Sequence, residues 1–518
     1  MKKINAPYIL IFVLWGGFTS LSSWYLIVFQ WENTFFTLQD IVVKFFLILN
    51  WLIINIGFCN GIKDFVILLT YYIYLKPKYK KNYFKQFNHS KLISKLEPKV
   101  LLLYTTCNDF DEQSLLQSIN QNYSNFCTYI LDDSDQEFYK NKIDNFINKN
   151  KNINLVRRKD KKGFKAGNIN NFLMNTKEEF DYFVLLDSDE IIPNNFIKNC
   201  LPYFENNVGI VQANHKATRF SNLFDKLGSK GVLPAWTTFI SFKNVYGSVT
   251  LNGHGAMIDR KCYYDSMGFP EIVAEDLGFA VNAINKKYKI VFAYDVICEE
   301  KFPVDFISFK KRNIKWTQGN FEFIKKFGLK LIINKTNFFK KLDLFLSSTS
   351  IFLTVFCFFT IIINFSILYP LGFYYKYSYF LWIFIVFFFL IPLLNDIIFL
   401  IRKENFFHLL GYLFFCCLLY PSMIISSILT FTFSIFGKKA KFIVTPKNSK
   451  KYTFWEAIKF NKLELISSIV LITLITLLTI FVNNFQYVLI LWLVFFIIPF
   501  LSTPFLTLLS NKSVVVKN

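Results

Sequence analysis

The sequence predicts a mixed α/β domain inserted between two blocks of membrane-spanning helices. Apolar runs near both ends of the 518-residue chain reach the ~20 residues that a helix needs to cross a bilayer. Between residues 100 and 330, short apolar runs with polar ends alternate with helix-length segments. That alternation is typical of a mostly parallel sheet covered by helices. With 53% hydrophobic residues, the chain is also more apolar than a soluble protein of this size.

Seven long apolar runs are candidates for membrane segments. They are residues 8–30, 41–59, 345–369, 378–401, 406–436, 463–483 and 486–510. The first run is longer than the apolar core of a cleaved signal peptide, which has ~7–15 residues, and it lacks a small-residue cleavage site. It is therefore predicted to be a membrane anchor.

The distribution of lysines predicts the orientation in the membrane. Residues 76–99 hold eight lysines and residues 437–451 hold six, whereas the segment between the first two runs has neither lysine nor arginine. By the positive-inside rule, the N-terminus, the central domain and the 437–451 loop lie in the cytoplasm of a multi-pass plasma-membrane protein. The net charge of +22 therefore reflects topology, and no aromatic-basic motif indicates a nucleic-acid partner.

This orientation constrains the run at 406–436. If it crossed the membrane once, the loop at 437–451 would lie outside the cell. We therefore predict that it lies along the inner interface, or enters and returns, with a break near Pro421. A kinked span is the alternative. Six true spans remain, and the C-terminus returns to the cytoplasm.

The predicted organisation has four parts. N-terminal transmembrane helices occupy residues 1–75, and the cytoplasmic central domain occupies residues 76–330. A C-terminal transmembrane bundle follows over residues 331–510 and includes the interfacial segment 406–436 and the loop 437–451. Residues 511–518 form a cytoplasmic tail. Nine cysteines without a CxxC pair indicate neither a metal framework nor a disulfide scaffold.

Polar residues end three of the predicted strands in the central domain. The strands are predicted within 100–109, 127–135, 152–156, 181–190, 208–215 and 288–295, with helices at 111–122, 136–149 and 166–178. Thr105–Asp109, Asp132-Asp133 and Asp187–Asp189 follow strands and should gather at one rim, where parallel sheets bind ligands. Carboxylates there suit Mg²⁺ or Mn²⁺ together with a diphosphate. A plain strand-to-turn transition is the alternative.

Three further stretches carry candidate binding or catalytic groups. The stretch "KKGFKAGNIN" (161–170) has lysines and glycines suited to phosphates, or is a solvated basic turn. Glu275-Asp276, in "VAEDLGFA", supplies either a helix N-terminal charge or a general base. Arg312, Lys315 and Trp316 lie one helical turn apart, so that cations can face a departing diphosphate and an indole can stack on a sugar. An amphipathic interfacial helix is the alternative for that stretch.

Together these segments resemble processive family 2 glycosyltransferases of the cellulose-synthase type, which have the GT-A fold. The likeness covers roughly residues 98–325 and again 437–447. The matching motifs are "LDD" (131–133), "FKAGNIN" (164–170), "DSD" (187–189), "AED" (274–276), "RNIKW" (312–316) and "FIVTPK" (442–447). "NGHGAMIDR" (252–260) and "CEEKFP…KWTQGN" (298–320) are most similar to the membrane synthases of osmoregulated periplasmic glucans.

The resemblance implies roles for individual residues. The nucleotide-sugar side is assigned to Thr106, Asn108, Asp132, Asp133, Lys165 and His254. Asp187 and Asp189 are implied to hold the diphosphate and the metal, Mg²⁺ or Mn²⁺. Asp276, next to Glu275, is implied to be the catalytic base. Arg312 and Lys315 are implied to stabilise the leaving diphosphate, Trp316 to stack on the acceptor, and Thr445 and Lys447 to belong to a gating loop.

The sequence departs from the family pattern at several of these positions. Arg312 replaces a glutamine and Lys315 replaces an arginine, and lysine cannot make the planar bidentate contact of arginine with a phosphate. Ala274 replaces a threonine, and Asn108-Asp109 stands where Asn-Glu is common. These changes affect the acceptor and the linkage more than the reaction class.

The resemblance implies a polysaccharide synthase that transfers a hexose, with glucose favoured, from a UDP-sugar to a growing β-glycan. The reaction inverts the anomeric centre and is coupled to export of an extracellular or capsular polysaccharide across the lipid bilayer. A single-transfer enzyme acting on a lipid-linked acceptor is the alternative within enzymes. A transporter or membrane scaffold with an inactive central domain is the alternative from another class.

Overall fold

The computed structural model describes residues 5–28, 37–79, 97–333, 336–368, 370–371, 379–438, 440, 446–447, 450–481 and 490–514. Two helices precede the central domain: α1 Ala6–Leu26 and α2 Leu38–Thr70. The second helix continues through a π-helical turn, Tyr71–Leu75, toward the domain. There the ring of Tyr79 stacks on Tyr294 with 4.6 Å between centroids. The N-terminal helices are thus packed directly on the central domain.

A seven-stranded sheet forms the centre of the domain. Its strands are β1 Val100–Thr106, β2 Phe126–Asp132, β3 Ile153–Arg157, β4 Tyr182–Leu186, β5 Val208–Ala217, β6 Ala256–Asp259 and β7 Lys289–Glu300. The spatial order is β3-β2-β1-β4-β6-β5-β7. The β1–β2, β1–β4, β2–β3 and β5–β7 pairs are parallel, and β6 pairs antiparallel with both β4 and β5. All six predicted strands are confirmed.

The central strands are apolar on both faces because both faces of the sheet are covered. In β1, Val100, Leu102 and Tyr104 belong to one buried core, and Leu101 and Leu103 belong to the other. Successive side chains of a strand point to opposite faces, so a continuous apolar run supplies both cores. The observed arrangement is the GT-A-like fold that the sequence predicts.

The strand β6 was not among the predicted strands. Its four residues lie in "NGHGAMIDR", directly after two glycines with positive φ, Gly253 at 86° and Gly255 at 56°. The backbone N–H of Gly255 donates to the carbonyl of Leu185 at 2.9 Å. The short strand therefore brings the turn at 253–255 to the carboxyl end of β4.

Helices of the domain surround the sheet. They are α3 Glu112–Ser118, α4 Glu137–Lys149, α5 Phe164–Asn175, α6 Phe196–Cys200, α7 Leu223–Ser229, α8 Val232–Ala235, α9 Ser241–Val245, α10 Arg260–Asp265, α11 Glu275–Asn285 and α12 Phe306–Ile333. The first three agree with the predicted helices at 111–122, 136–149 and 166–178 apart from their ends. The side chain of Asp111 caps α3 by accepting from the N–H of Ser114 at 3.2 Å.

The C-terminal block consists of apolar helices. They are α13 Phe338–Ile363, α14 Tyr379–Leu400, α15 Phe406–Ser422, α16 Ile424–Ile435, α17 Phe454–Phe460, α18 Lys462–Phe481, α19 Ile490–Leu501 and α20 Thr503–Leu508. Across the described parts of the chain, five helices are long and apolar enough to cross a membrane. The number is six if the pair Phe338–Leu353 and Phe358–Leu368, bent by 44°, is one span.

The segment predicted to lie at the interface is formed by α15 and α16. Together they form a predominantly apolar stretch of 30 residues, Phe406–Ile435, which is long enough to cross a membrane. They meet at Met423, two residues after Pro421. Helix α15 buries Leu409 and Phe415 in one cluster with Phe224, Phe302 and Phe306 of the central domain, and Ser427 of α16 accepts from Asn313 of α12 at 2.8 Å. The interfacial placement remains a prediction.

Cysteine labelling tests that placement. In a cysteine-depleted background, Lys451→Cys should be labelled by an impermeant thiol reagent only after cell lysis, because the loop 437–451 is predicted to be cytoplasmic. Gln39→Cys, in the first turn of α2 and outside the cell in the predicted orientation, should be labelled in intact cells and serves as the control. Labelling of Lys451→Cys in intact cells would mean that α15 and α16 cross the bilayer.

Candidate active site

A cavity of about 250 Å³ opens where the parallel strands end. Its lining combines residues that follow β1, β2 and β4 with residues from α5, α12 and the loop beyond α16: Thr105, Thr106, Cys107, Asp109, Asp133, Lys161, Phe164, Lys165, Asn168, Asp187, Ser188, Lys315 and Lys447. The rim predicted from the strand ends is therefore present, and its carboxylates face several cations.

The two aspartates after β4 are each bound to a lysine. The ammonium group of Lys165 contacts Asp187 Oδ1, and its second bond goes to the carbonyl of Gly253 at 2.8 Å. Lys447 Nζ lies 2.6 Å from Asp189 Oδ1. Burial opposes ionisation of Asp187, but Lys165, His254 and Lys447 outweigh it and hold the pKa of that carboxyl well below its usual range. Asp187 is thus a carboxylate at neutral pH.

The end of β1 supports the Asp-Ser-Asp turn from one side. The side chain of Thr105 donates to the carbonyl of Leu186 at 3.0 Å, and Ser188 Oγ donates to Asp109 Oδ2. Thr106 Oγ1 donates to the other oxygen of Asp109 at 2.9 Å. Burial raises the pKa of Asp109. Asp109 is therefore a buried acceptor that ties β1 to the turn after β4.

The two aspartates after β2 have separate surroundings. Asp133 lines the cavity and accepts a bidentate pair from Arg158, at 2.9 Å from Nε and 2.6 Å from Nη2. Asp132 does not line it, and its carboxylate is held by Arg157 Nε at 2.6 Å and by the N–H of Ser134 at 2.8 Å. Only Asp133 of this pair reaches the cavity.

The carboxylates Glu275 and Asp276 begin helix α11. The backbone N–H of Leu277 donates to Asp276 Oδ1 at 2.8 Å. Burial raises the pKa of Asp276, and burial together with the charge of Asp276 raises that of Glu275 to about 8. Because a raised pKa makes a carboxylate a stronger base, this pair is suited to accept a proton.

The residues predicted on α12 point to different places. Lys315 lines the cavity, where burial lowers its pKa, as do Lys447 and Lys165. The guanidinium of Arg312 lies over three rings, at 5.0 Å from Phe302, 4.9 Å from Phe309 and 4.7 Å from Trp316. Trp316 is 49% exposed. Lys315 alone of the three belongs to the cavity, and Arg312 orients the exposed indole.

A buried carboxylate, Glu190, follows the Asp-Ser-Asp turn. Its Oε1 is 3.1 Å from His215 Nε2 and 3.4 Å from His254 Nδ1. Burial opposes the ionisation of Glu190 and of His254. Their attraction for each other outweighs it, lowering the pKa of Glu190 to about 2 and raising the pKa of His254 to about 10. His254 Nε2 is also 3.5 Å from Glu300 Oε2. The ring of His254 is thus directed to two carboxylates.

A family model described as Glycosyl transferase family group 2 matches residues 182–394. This part of the chain is therefore similar to family 2 glycosyltransferases. The matched residues run from β4 into α14 and include Asp187, Asp189, Asp276 and Lys315. Asp133 and Lys447 lie outside the match, although they line the same cavity.

Two curated relatives of the glycosyltransferase domain are from Oryza sativa subsp. japonica. Probable glucomannan 4-beta-mannosyltransferase 7 is 24% identical over 227 residues, which are 40% of this chain and 37% of the relative. Probable glucomannan 4-beta-mannosyltransferase 3 is 24% identical over 221 residues, which are 40% of this chain and 39% of the relative. The chain therefore spans less than two fifths of the length of these relatives.

Solved structures also show similarity. The mannosyltransferase PcManGT from Pyrobaculum calidifontis, in complex with GDP-Man and Mn²⁺, is 13% identical with a TM-score of 0.44, covering 73% of this chain and 98% of that chain. GalNAc-T7 with UDP, GalNAc and Mn²⁺ is 11% identical with a TM-score of 0.32, covering 40% of this chain and 44% of that chain.

Six of the fifteen predicted site residues line the cavity. Those that line the cavity are Thr106, Asp133, Lys165, Asp187, Lys315 and Lys447. Asn108 does not, and its side-chain oxygen accepts from the N–H groups of Asp135 and Gln136 at 3.1 and 3.0 Å, beside the start of α4. Thr445 lies outside the described residues.

Sequence reasoning missed the basic partners of Asp132 and Asp133, the two aspartates after β2. Arg157 ends β3 and Arg158 follows it, so the strand-end argument applied to β2 would also have found them. It also missed Glu190, although that residue directly follows Asp189. Its role depends on His215 and His254, which come from distant segments.

The pair at the start of α11 predicts a pH dependence. The rate of transfer should rise with pH as Asp276 loses its proton. Because burial raises the pKa of Asp276, this rise should occur at a higher pH than for an exposed aspartate. In Glu275→Gln, the ionisation of Glu275 near pH 8 should disappear from the pH profile, whereas the rise due to Asp276 should remain. The measurement is kcat against pH at saturating donor for both proteins. An acidic limb near the ~3.9 of an exposed aspartate would contradict this assignment.

Proposed function

We propose that the protein is a membrane-embedded, processive β-glycan synthase that transfers a hexose from a nucleotide-sugar and inverts its anomeric centre. The observation that carries the proposal is Asp187 at the end of β4, which lines one cavity with Lys165, Lys315 and Lys447. Asp189 follows it in the same turn and pairs with Lys447. Anions and cations interleaved in this way suit a diphosphate with a divalent cation.

The residues present fit such a cation. Asp187 and Asp189 offer carboxylate oxygens, which Mg²⁺ and Mn²⁺ prefer, and each is already in contact with a positively charged group. When bound, the metal would neutralise charge that develops on the departing diphosphate. Asp187 and Asp189 would hold it, and the choice between Mg²⁺ and Mn²⁺ is left to experiment.

The chain's own residues have separate tasks in the reaction. Asp276 takes the proton of an acceptor hydroxyl, whose oxygen forms a bond to the anomeric carbon as the bond from that carbon to the diphosphate oxygen breaks. Lys315 and Lys165 stabilise the leaving diphosphate. Asp133, fixed by Arg158, lies on the nucleotide side, and Trp316 offers an exposed ring for the acceptor sugar. The proton leaves from Asp276 to solvent.

Processivity is proposed from the membrane helices and from Lys447. The gating loop at 437–451 belongs to the C-terminal block, yet Lys447 reaches Asp189 of the catalytic domain. This contact supports a loop that closes over the donor during each transfer. Apolar helices of the C-terminal block would provide the route by which the glycan leaves the cell.

Two observations bear on the donor sugar, and they favour different hexoses. The local motifs resemble glucan synthases and favour UDP-glucose, whereas the curated relatives are named as mannosyltransferases. Both sugars are hexoses, so the proposed reaction class is the same for either. A lipid-linked, single-transfer acceptor would instead give a product with one added sugar.

Product analysis tests the proposal. The full chain, purified in lipid nanodiscs with Mg²⁺ or Mn²⁺, should convert labelled UDP-glucose or GDP-mannose to a polymer and release the nucleoside diphosphate. Linkage analysis then identifies the sugar. A product with one sugar on added lipid would replace the processive assignment, and the absence of transfer from a panel of nucleotide-hexoses would overturn the proposed function.

A further inference from the structure

We infer that Glu190, His215 and His254 form a positioning network that holds the metal-binding turn of the glycosyltransferase in place. None of the three is among the residues that line the cavity, so the donor-binding role that the resemblance implies for His254 remains a prediction. They join the turn at 187–190 to the turn at 253–255. The inference rests on the proposed function in one respect, that Asp187 and Asp189 hold a divalent cation.

Glu190 connects the two turns through one carboxylate. Its Oε2 accepts from the backbone N–H of Gly255 at 3.0 Å and from that of Asp187 at 3.3 Å. Its Oε1 faces His215 Nε2 at 3.1 Å and His254 Nδ1 at 3.4 Å. The side chains of Glu190 and His215 are fully buried. Both carboxylate oxygens are therefore used, one for the backbone and one for the histidines.

The backbone around Glu190 is anchored independently at several points. The N–H of Glu190 donates to the carbonyl of Asp187 at 3.1 Å, and Ser118 Oγ donates to the carbonyl of Glu190 at 3.1 Å. The side chain of Arg219 donates to the carbonyl of Asp189. The N–H of Lys301 donates to Asp189 Oδ2 at 3.0 Å. These bonds fix the backbone around Glu190, and its carboxylate adds a link to the turn at 253–255.

The turn at 253–255 packs tightly against Glu190 and His215. A Cβ atom at Gly255 would lie 2.4 Å from both Glu190 Oε1 and His215 Nε2, and its φ of 56° also favours glycine. The carbonyl of Gly253 accepts from Lys165 Nζ, which contacts Asp187. Glu190 thus acts on Asp187 in two ways. It accepts from the backbone N–H of Asp187, and it holds the turn whose Gly253 carbonyl accepts from Lys165.

Charge explains why histidines accompany this carboxylate. A buried anion without partners is strongly destabilising. His254 lies between Glu190 and Glu300, and the ring of His215 packs on Trp236 at 4.1 Å. Both carboxylates of the network are therefore faced by an imidazole ring. Partners of this kind behind metal ligands typically change metal affinity or activity 10–100-fold when replaced.

Mn²⁺ binding to the purified full chain tests the network without relying on activity. The dissociation constant, measured from the free Mn²⁺ signal by electron paramagnetic resonance, should rise about tenfold in Glu190→Gln and in His254→Gln. His408→Gln, the same replacement at an exposed position of α15, should bind as the wild type. Loss of His254 removes a positive charge near Asp187, which by charge alone would strengthen Mn²⁺ binding. Weaker Mn²⁺ binding in His254→Gln would therefore indicate that His254 positions the turn.

Activity adds a second readout. Excess Mn²⁺ should restore most of the kcat of Glu190→Gln, whereas a misfolded variant would not recover. Unchanged Mn²⁺ affinity in both variants would overturn the network. So would zinc that co-purifies with the wild type and is lost in Cys298→Ser, since Glu190, His215 and Cys298 have ligand atoms within 4.8 Å of one another. Wild-type protein that binds Mn²⁺ but transfers no sugar would overturn only the proposed function, and wild type that binds no Mn²⁺ would overturn both.

Discussion

Replacement of Asp276 by asparagine is expected to slow sugar transfer by at least ~10²-fold, in line with the contribution of a general base. Asparagine keeps the size of the side chain and can still accept from the N–H of Leu277, so the start of α11 should fold normally. It cannot take a proton from the acceptor. The measurement is the initial rate of polymer synthesis at saturating donor.

Donor binding separates this effect from a general loss of structure. The dissociation constant of the nucleotide should be nearly unchanged in Asp276→Asn, because Asp276 is not among the residues that line the cavity. If the variant elongates the glycan at close to the wild-type rate, Asp276 is not the base, and Glu275 becomes the candidate to test.

The second large effect is expected from the metal site. Asp189→Asn should lower transfer by about 10³-fold, comparable with the removal of one group that stabilises developing charge. The variant keeps one oxygen to accept from the N–H of Lys301 but loses the charge that attracts a cation and Lys447. Wild-type activity should be lost with EDTA and return with Mn²⁺ or Mg²⁺.

A matched replacement shows whether the position of the carboxylate matters. Asp109→Asn also changes a buried carboxylate at this rim, but one that accepts from Ser188 and Thr106 rather than from a lysine. Its effect on metal dependence should be much smaller than that of Asp189→Asn. Full activity of wild-type protein in excess chelator would remove the divalent cation from the proposed function.

The site concentrates opposite charges that come from three parts of the chain. The carboxylates follow β2 and β4, Lys165 comes from α5, and Lys447 comes from the loop after the apolar helices α15 and α16. A bound diphosphate and its cation can exchange partners with these groups without leaving any of them unpaired. Such an arrangement suits a site that is filled and emptied in every cycle of the proposed transfer reaction.

Much of this organisation is readable from local sequence. The apolar runs predict the candidate spans because crossing a bilayer depends on length and composition within one segment. The strand ends predict the rim because parallel strands carry their carboxyl ends to one edge. Asp133, Lys165, Asp187 and Lys315 therefore line a common cavity as expected.

Other features depend on which distant segments meet, and local patterns do not contain that information. Strand β6 has only four residues, too few for a strand to be recognised from the sequence. Its antiparallel insertion between β4 and β5 nevertheless brings Gly255 to Glu190. The two aspartates of "LDD" look alike, but neighbouring arginines give them different roles, with Asp132 turned to Arg157 and away from the cavity. Lys447 meets Asp189 across 258 positions of sequence. The composition and hydrophobic periodicity of a segment determine whether it forms a strand, a helix or a membrane span. The partner of each buried charge depends instead on how the whole chain folds.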